Sequence, residues 1–448
     1  MIKSGYMEEK CLKSLIIIFS KMMYWIGKIF GKGTSFPGKV ALQLDPNILK
    51  KVTLPDNIIM VTGSNGKTST TEMIYQVLKD NGFSVDCNIE GSNQIEGIAT
   101  LILKNSNLSG IVKKDVLVIE ADERYVRKVL KNFKPRYLVV TNLYRDQMTR
   151  NGHPEHVYHI IDEAITSDIR LVLNTDDPIS SLLGYQKENV IYFGINKNAL
   201  SQTQNDSRYD DGKYCMHCKG KLKYEYYHFN HIGSYYCKKC GHSRKNPNYA
   251  ITDIDLTAGK ITINKKHRID MTMHSMYHAY NLLATFAVAR VFGIEEKKIV
   301  TSLSNYIVKN DRVQSFELNG HEAMLLTSKH ENPVSYNQSL IYVSSQKEDC
   351  TVVIIIDSIS RKYFTNETSW IWDIDFEKLS VSFVKKVILA GRYANDLAAR
   401  FNYSIVDMGK VKKITDLNEM MKEVKENAEG KIYVITCFSD RMKFLDRR

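Results

Sequence analysis

Short apolar runs bounded by turn residues recur along this chain, and the spacing between them predicts its architecture. Residues 58–62 ("IIMVT") are apolar and β-branched and read as a buried strand. A glycine turn follows. From Thr68 onward, Met73, Ile74, Val77 and Leu78 recur at helical spacing, and Gly82 supplies the stop. Four more runs come next: "VLVIE" (116–120), "YLVVT" (137–141), "LVLN" (171–174) and "VIYFG" (190–194). Strands alternating with helical stretches predict a mainly parallel, doubly wound sheet, whose ligands bind at the carboxyl ends of the strands.

Residues 201–250 interrupt this rhythm with paired cysteines, many tyrosines and few aliphatics. Two strand-like runs, "YAITDIDL" (249–256) and "KITINKK" (260–266), resume it, and "MYHAYNLLATFAVARVFG" (276–293) reads as a helix with a glycine stop. After 309–318 a second α/β pattern begins, with strands "AMLLTS" (323–328), "TVVIIID" (351–357), "KKVILAG" (385–391) and "KIYVITC" (431–437). The chain divides accordingly into a helical lead-in (1–50), a central domain (51–312) carrying an insertion at 205–247, and a C-terminal Rossmann-like α/β domain (313–448).

Composition changes this picture little. At 448 residues the chain is too long for one core, and 43% apolar and 25% charged residues are ordinary for a globular protein. The net charge of +12 favours anionic partners: nucleotide, nucleic acid, polyanionic substrate or an acidic membrane face. Eight cysteines, four of them scattered, do not form a disulfide framework and read as a reducing, cytoplasmic compartment. No apolar run is long enough for a transmembrane helix, and no cleavage site follows the apolar stretch at 11–30. Residues 1–51 carry nine lysines against three acids. We expect residues 11–30 to form a core helix of an N-terminal subdomain; peripheral contact with the inner face of a membrane is the alternative.

Two constellations carry chemistry. "TGSNGKTS" (62–69) lies between a strand and a helix, where successive backbone N–H groups and the positive end of a helix dipole converge on one point. Lys67 adds a cation, and the Thr68 hydroxyl suits Mg²⁺. The loop is two residues shorter between its glycines than the usual phosphate loop. The second constellation is Cys215, Cys218, Cys237 and Cys240, whose C-x2-C-x18-C-x2-C spacing fits a four-thiolate structural zinc site with no open coordination position. Gly220 and Gly241 follow the pairs, where sharp turns are expected. A nucleic-acid grip by this ribbon, using Lys238, Lys239, Arg244 and Lys245, is the rival reading.

The compact loop resembles the ATP loop of the Mur ligase superfamily, which joins a carboxylate to an amine through an acyl phosphate. The resemblance implies ATP bound by Gly63, Asn65, Gly66, Lys67, Thr68 and Ser69. It also implies Mg²⁺ at Thr68 and Glu120, adenine read by Asn281 in "YHAYNLLAT", and Arg312 facing the phosphates. "TNLYRDQ" (141–147) resembles the family's Thr-Asn…Asp-His stretch, with Gln147 in the histidine's position, and "NTDDP" (174–178) matches a signature read as turn chemistry.

The ribbon, "FPGKVALQLDPNIL" (36–49), "NLYRDQMTRNG" (142–152), "ENPVSYNQSL" (331–340), "SWIWDIDFEKL" (369–379) and "AGRYANDLAARF" (390–401) narrow the resemblance to the MurT-type, ligase-like subunits of lipid II isoglutaminyl synthase. That family amidates the D-glutamyl α-carboxylate of a lipid-linked peptidoglycan precursor. Its ammonia comes from a separate class I amidotransferase-like glutaminase subunit in a heterodimer, and nucleic acid has no part in the reaction. The resemblance implies catalytic roles for Lys67, Glu120 and Asp357, the last reaching the partner's glutaminase site, with Asp373 as an alternative. The chain departs from the family in "IDSISRKYFTNETSW" (356–370): both asparagines flanking the aspartate are gone, no Ala-Asp-Gly is present, and Glu367 replaces a later aspartate. Glu331 stands where lysine is usual. A divergent Mur-type ligase with another acceptor, and a zinc-ribbon nucleic-acid-binding ATPase, are the alternatives.

Overall fold

The computed structural model describes residues 2–30, 34–88, 92–307, 312–359 and 367–448. They form two compact units: 1–144, 154–206 and 210–308 make the first, and 145–153, 207–209 and 309–448 the second. Of the divergent stretch at 356–370, residues 360–366 lie outside the described residues.

The first unit is built on β1 (Asn57–Thr62), β2 (Val85–Cys87), β3 (Val116–Glu120), β4 (Tyr137–Val140), β5 (Arg170–Asn174) and β6 (Val190–Ile195). A separate hairpin of β7 (Leu222–Phe229) and β8 (Ile232–Cys237) interrupts the sheet, which resumes with β9 (Tyr249–Asp255), β10 (Lys260–Ile263) and β11 (His267–Asp270). The order is β11-β10-β9-β6-β5-β4-β1-β3-β2. Neighbours from β2 through β9 run parallel; the β9–β10–β11 end is antiparallel. Strand β1 has β3 on one side and β4 on the other, so its carboxyl end lies where the winding reverses, the place where doubly wound sheets bind ligands.

Helix α1 (Ile2–Ile29) and helix α2 (Phe36–Leu44) precede β1; α3 (Lys67–Asp80) follows it and α4 (Ile95–Asn105) follows β2. On α3 the four periodic apolar residues Met73, Ile74, Val77 and Leu78 are buried, contributing roughly 1.5–3 kcal/mol each. Gly82, at φ +85°, ends the run. Helix α1 differs from the core helix expected: only Ile16, Ile17 and Ser20 of its described side chains are buried. Ile16 and Ile17 join the core with α2 and α4 residues, and Leu12, Leu15, Ile18, Phe19, Met22, Trp25, Ile26 and Ile29 are exposed.

The second unit carries β12 (Val313–Leu318), β13 (His321–Ser328), β14 (Cys350–Ile355), β15 (Val384–Ala390), β16 (Val411–Ile414) and β17 (Lys431–Cys437) in the order β12-β13-β17-β14-β15-β16. All pair parallel except β12. Along β14, Val352 and Ile354 join one core cluster and Val353 and Ile355 the other. The sheet is thus covered on both faces, which is why its strands read as continuous apolar runs.

Candidate active site

Between β1 and α3 the loop turns at Gly63 and Gly66, with φ of +132° and +82°. Space also demands glycine. A Cβ at Gly63 would meet Thr141 Oγ1 at 2.3 Å, and one at Gly66 would meet Asn281 Oδ1 at 2.2 Å. Asn281, on the helix Met276–Val291, therefore lies directly against the loop. That helix is capped by Ser275, whose hydroxyl accepts the His278 N–H. Helix α3 starts at Lys67 with Gly66 at its N-cap and no side-chain cap. Its first-turn N–H groups have no intrahelical acceptor, which makes this helix end suited to an anion. Thr68 is exposed and Ser69 half-buried.

Lys67 is buried and held among oxygens. Its ammonium donates to Gly63 O, to Ser64 O at 3.3 Å and to Glu123 Oε2 at 2.9 Å. Glu120 at the end of β3 is also buried, not a solvated cap. Asn88 fixes its backbone through both amide atoms, and Asn93 donates to Oε1 at 3.1 Å. Oε2 is buried with no hydrogen-bond partner among the described residues. A carboxylate oxygen left in that state suits a hard cation.

The loop is braced from the neighbouring strand. After β4, Thr141 Oγ1 donates to Asn65 O at 2.7 Å, and Asn142 accepts the Asn65 N–H and donates to its carbonyl. Ser64 Oγ and the Tyr144 backbone exchange two bonds. "NTDDP" anchors this brace: Asp177 accepts from the N–H of Leu143 and of Ile179, capping the next helix. Buried Asp176 accepts from Ile195 N–H, Tyr280 OH and Arg244 Nε, at 2.6–2.7 Å. Arg244, a contact only in the rival nucleic-acid reading, is thus turned inward onto a carboxylate, and Lys239 Nζ donates to Cys218 O.

The Sγ atoms of Cys215, Cys218, Cys237 and Cys240 lie within 4.8 Å of one another, and none of these cysteines is in a disulfide. Separations of 3.6 Å (215–240) and 3.4 Å (218–237) approach the roughly 3.8 Å that a tetrahedral tetrathiolate requires at a Zn–S distance of about 2.3 Å. The knuckles have matching backbones. Lys219 N–H bonds Cys215 O as Gly241 N–H bonds Cys237 O, and Cys215 N–H bonds Gly220 O as Cys237 N–H bonds His242 O. The left-handed turn expected at Gly220 falls instead on Lys219, at φ +57°, matching Gly241 at +76°. Gly220 answers a need for space, since a Cβ there would lie 3.2 Å from two of the sulfurs.

In the second unit, Asp357 follows β14. It accepts the Arg392 N–H at 2.9 Å and forms an ion pair with Lys443. Burial opposes its charge, but the Lys443 and Arg392 bonds outweigh it and hold the carboxyl below its usual range. Asp440 is fully buried and accepts the N–H groups of Asp357 and Ser358. Asp373 pairs with Arg145 at 2.7 Å, and Glu367 accepts the Ser369 N–H. The Arg312 guanidinium lies 5.3 Å over the Phe438 ring. Asp146 is held by Lys329 and by Asn332 Nδ2, and Gln147 takes φ +48° while its N–H bonds Glu331 O. Cys437 sits at a strand–helix junction, but its thiol is buried and is pushed up by that burial and by the Asp440 charge, an environment that disfavours the thiolate.

Sequence reasoning missed Glu123 as the partner of Lys67, Asn93 on Glu120, and the Thr141–Asn142 brace. For Glu123 and Asn142 the available signal was their position one to three residues beyond a strand end.

Residues 61–289 match the family described as Mur ligase middle domain, and residues 330–440 match MurT ligase C-terminal. Subunit MurT of the glutamine-hydrolyzing lipid II isoglutaminyl synthase of Staphylococcus aureus is 34% identical over 379 residues, covering 84% of each chain. The corresponding subunit of Streptococcus pneumoniae is 27% identical over 440 residues, covering 96% of each. Among solved structures, a pseudomurein peptide ligase type C from Methanothermus fervidus aligns with a TM-score of 0.67 at 22% identity, over 89% of this chain and 79% of that one; it shares the fold.

Proposed function

Because the chain belongs to the MurT family of Mur-type ligases, we propose that it amidates the D-glutamyl α-carboxylate of lipid II, using ATP and ammonia from a separate glutaminase subunit. The observation that carries this reading is the compact glycine loop at the carboxyl end of β1, with a buried lysine at its base and Asn281 against it.

A carboxylate is a poor acyl donor because its oxygen is a poor leaving group. Transfer of the terminal phosphoryl group of ATP to that oxygen gives an acyl phosphate and ADP. Ammonia then adds to the carbonyl carbon, phosphate departs with the C–O electron pair, and the nitrogen sheds a proton. Positioning and charge neutralisation are the main demands on the protein. The amides of residues 63–69 and Lys67 would hold the phosphates, Asn281 would read the adenine, and Arg312 would add a second cation. Thr68 and Glu120, whose Oε2 lacks a partner among the described residues, would hold Mg²⁺, which supplies further neutralisation of phosphate charge when bound. The four thiols would hold a structural Zn²⁺ that closes the insertion.

The ammonia source would be a class I amidotransferase-like partner in a heterodimer, with Asp357 contributing across that interface, on the cytoplasmic side of the membrane.

The test is co-purification with a candidate glutaminase, then ATP- and glutamine-dependent amidation of lipid II. Lys67→Ala should abolish product from glutamine and from free ammonia alike, while the variant still melts cooperatively. Asp357→Asn should spare the ammonia-driven reaction; equal loss with both nitrogen sources rejects its role in glutamine hydrolysis.

A further inference from the structure

Helix α1 is 28 residues long, about 42 Å at 1.5 Å per residue. One strip of it is packed: Ile16, Ile17 and Ser20 are buried, and the two isoleucines join the core formed with α2 and α4. The strip on the other side is apolar and bare. Leu15, Ile18, Met22, Trp25, Ile26 and Ile29 are 46–80% exposed. At about 100° per residue they share an arc of roughly 100–140°. Six side chains of this size approach the ~300–600 Å² at which an apolar patch on a monomer marks an interaction surface.

The charges around this face choose its occupant. Residues 10–44 contain six lysines and no aspartate or glutamate. Lys21 and Lys28 are separated by two helical turns and fall on the same edge of the apolar strip. The Lys28 ammonium lies 5.3 Å over the ring of Trp25. An aromatic ring with a lysine beside it, on an apolar face with lysines along one edge, is the pattern of a helix lying in the headgroup region of an anionic bilayer. There the rings and aliphatic chains sink to the acyl boundary while the ammonium groups reach back to phosphates. A second copy of the chain would bring the same lysine edge against itself, and α1 carries five lysines against two acids, Glu8 and Glu9, both before the apolar strip. No helix among the described residues is long and apolar enough to cross a membrane, so the helix would lie in the plane of the surface.

We infer that the outward face of α1 docks the protein on an anionic lipid bilayer, Leu15, Ile18, Met22, Trp25, Ile26 and Ile29 entering the interface and Lys21 and Lys28 contacting headgroups. The inference rests on α1 alone and stands apart from the ligase reading.

The experiment is vesicle flotation of the full chain with phosphatidylglycerol–phosphatidylcholine and with pure phosphatidylcholine vesicles, in low and high salt. Three proteins are compared: the natural sequence, Met22→Gln/Ile26→Gln/Ile29→Gln, and Lys21→Gln/Lys28→Gln. All substituted positions lie outside the packed strip, and thermal melts together with ATP titration confirm that each variant is folded. The natural chain should float with anionic vesicles at least tenfold more than with neutral ones. The triple variant should lose at least tenfold of that binding. The lysine variant should lose several-fold and depend less on salt. Binding that is equal for natural and triple-variant chains, or absent on anionic vesicles, overturns the inference. So does a natural chain that is dimeric by light scattering without lipid and becomes monomeric in the triple variant. If flotation fails while ATP still binds, only the docking inference falls.

Discussion

The ammonium of Lys67 is surrounded by Gly63 O, Ser64 O and Glu123 Oε2, so a phosphate held by Lys67, as proposed, would compete with an acid already in place. Glu123→Gln removes that competitor. It should tighten ATP binding several-fold by calorimetry while lowering stability, because it leaves Lys67 buried without its counter-charge. Glu120 behaves differently, since its Oε2 has no partner to surrender among the described residues. Glu120→Gln keeps the Asn93 contact feasible but removes the charge. It should raise the Mg²⁺ concentration for half-maximal ATP turnover about tenfold or more, the scale of losing a carboxylate ligand. At Gly66 the demand is steric. Gly66→Ala pushes a methyl into Asn281 at a left-handed φ and should cost about 1–3 kcal/mol of stability, with ATP affinity falling alongside it.

At the scale of elements, the cysteine knuckles and "NTDDP" act together. The insertion has a small core of its own, Cys215, Leu222, Tyr235 and Cys237, and is tied to the main sheet through Asp176–Arg244 and the pair of bonds between Thr175 and Lys245. A core of that size cannot hold an independent fold, so a metal is expected to supply much of its stability. Elemental analysis should find about one zinc per chain. Chelation or Cys218→Ser should melt the insertion while leaving α3 and the sheet around β1 protected from hydrogen exchange. Because Asp177 also fixes Leu143 in the brace after β4, a smaller loss of ATP affinity should accompany that melting.

For the whole molecule, buried histidines contribute to the response to acid. Burial pushes His278 and His242 down to about 4, from a usual 6.5. A folded state that refuses protons the unfolded chain accepts loses stability as pH falls from 6.5 toward 4, by on the order of 3 kcal/mol for each such group. His278 lies in the helix that carries Asn281 and, with no ion pair among its causes, reports this effect cleanly. Melting temperature followed from pH 8 to pH 4 should therefore fall less in His278→Phe than in the natural chain, with the difference confined to the window below 6.5. His231 works in the opposite sense: burial opposes its charge, but Asp177 at 3.5 Å raises it overall, so its contribution is lost as pH rises.

Strand runs at 58–62, 116–120, 137–141, 351–357 and 431–437 were legible because a strand buried on both faces must be apolar throughout, whatever its neighbours. The hairpin β7–β8 was not read as strands. Its alternating tyrosines lie over a core too small to impose an aliphatic pattern, and the cysteines dominate the local signal. The short edges β2 and β16 carry too few apolar positions to stand out. Helix α1 was legible as a helix, but its surface placement stood only as the alternative to a core helix, since its sequence is apolar on both the packed and the bare side.

By itself, the sequence determined the alternation of strands and helices, the glycine loop with Lys67, and the pairing of four thiols. Each of these is a relation among residues a few positions apart, fixed by backbone geometry. Only the tertiary structure decided that Glu123 holds Lys67, that Asn281 closes on Gly66, that Asp176 turns Arg244 inward, and which side of α1 stays bare. Those contacts join residues up to 215 positions apart, and packing alone selects them from among many partners of the same chemistry.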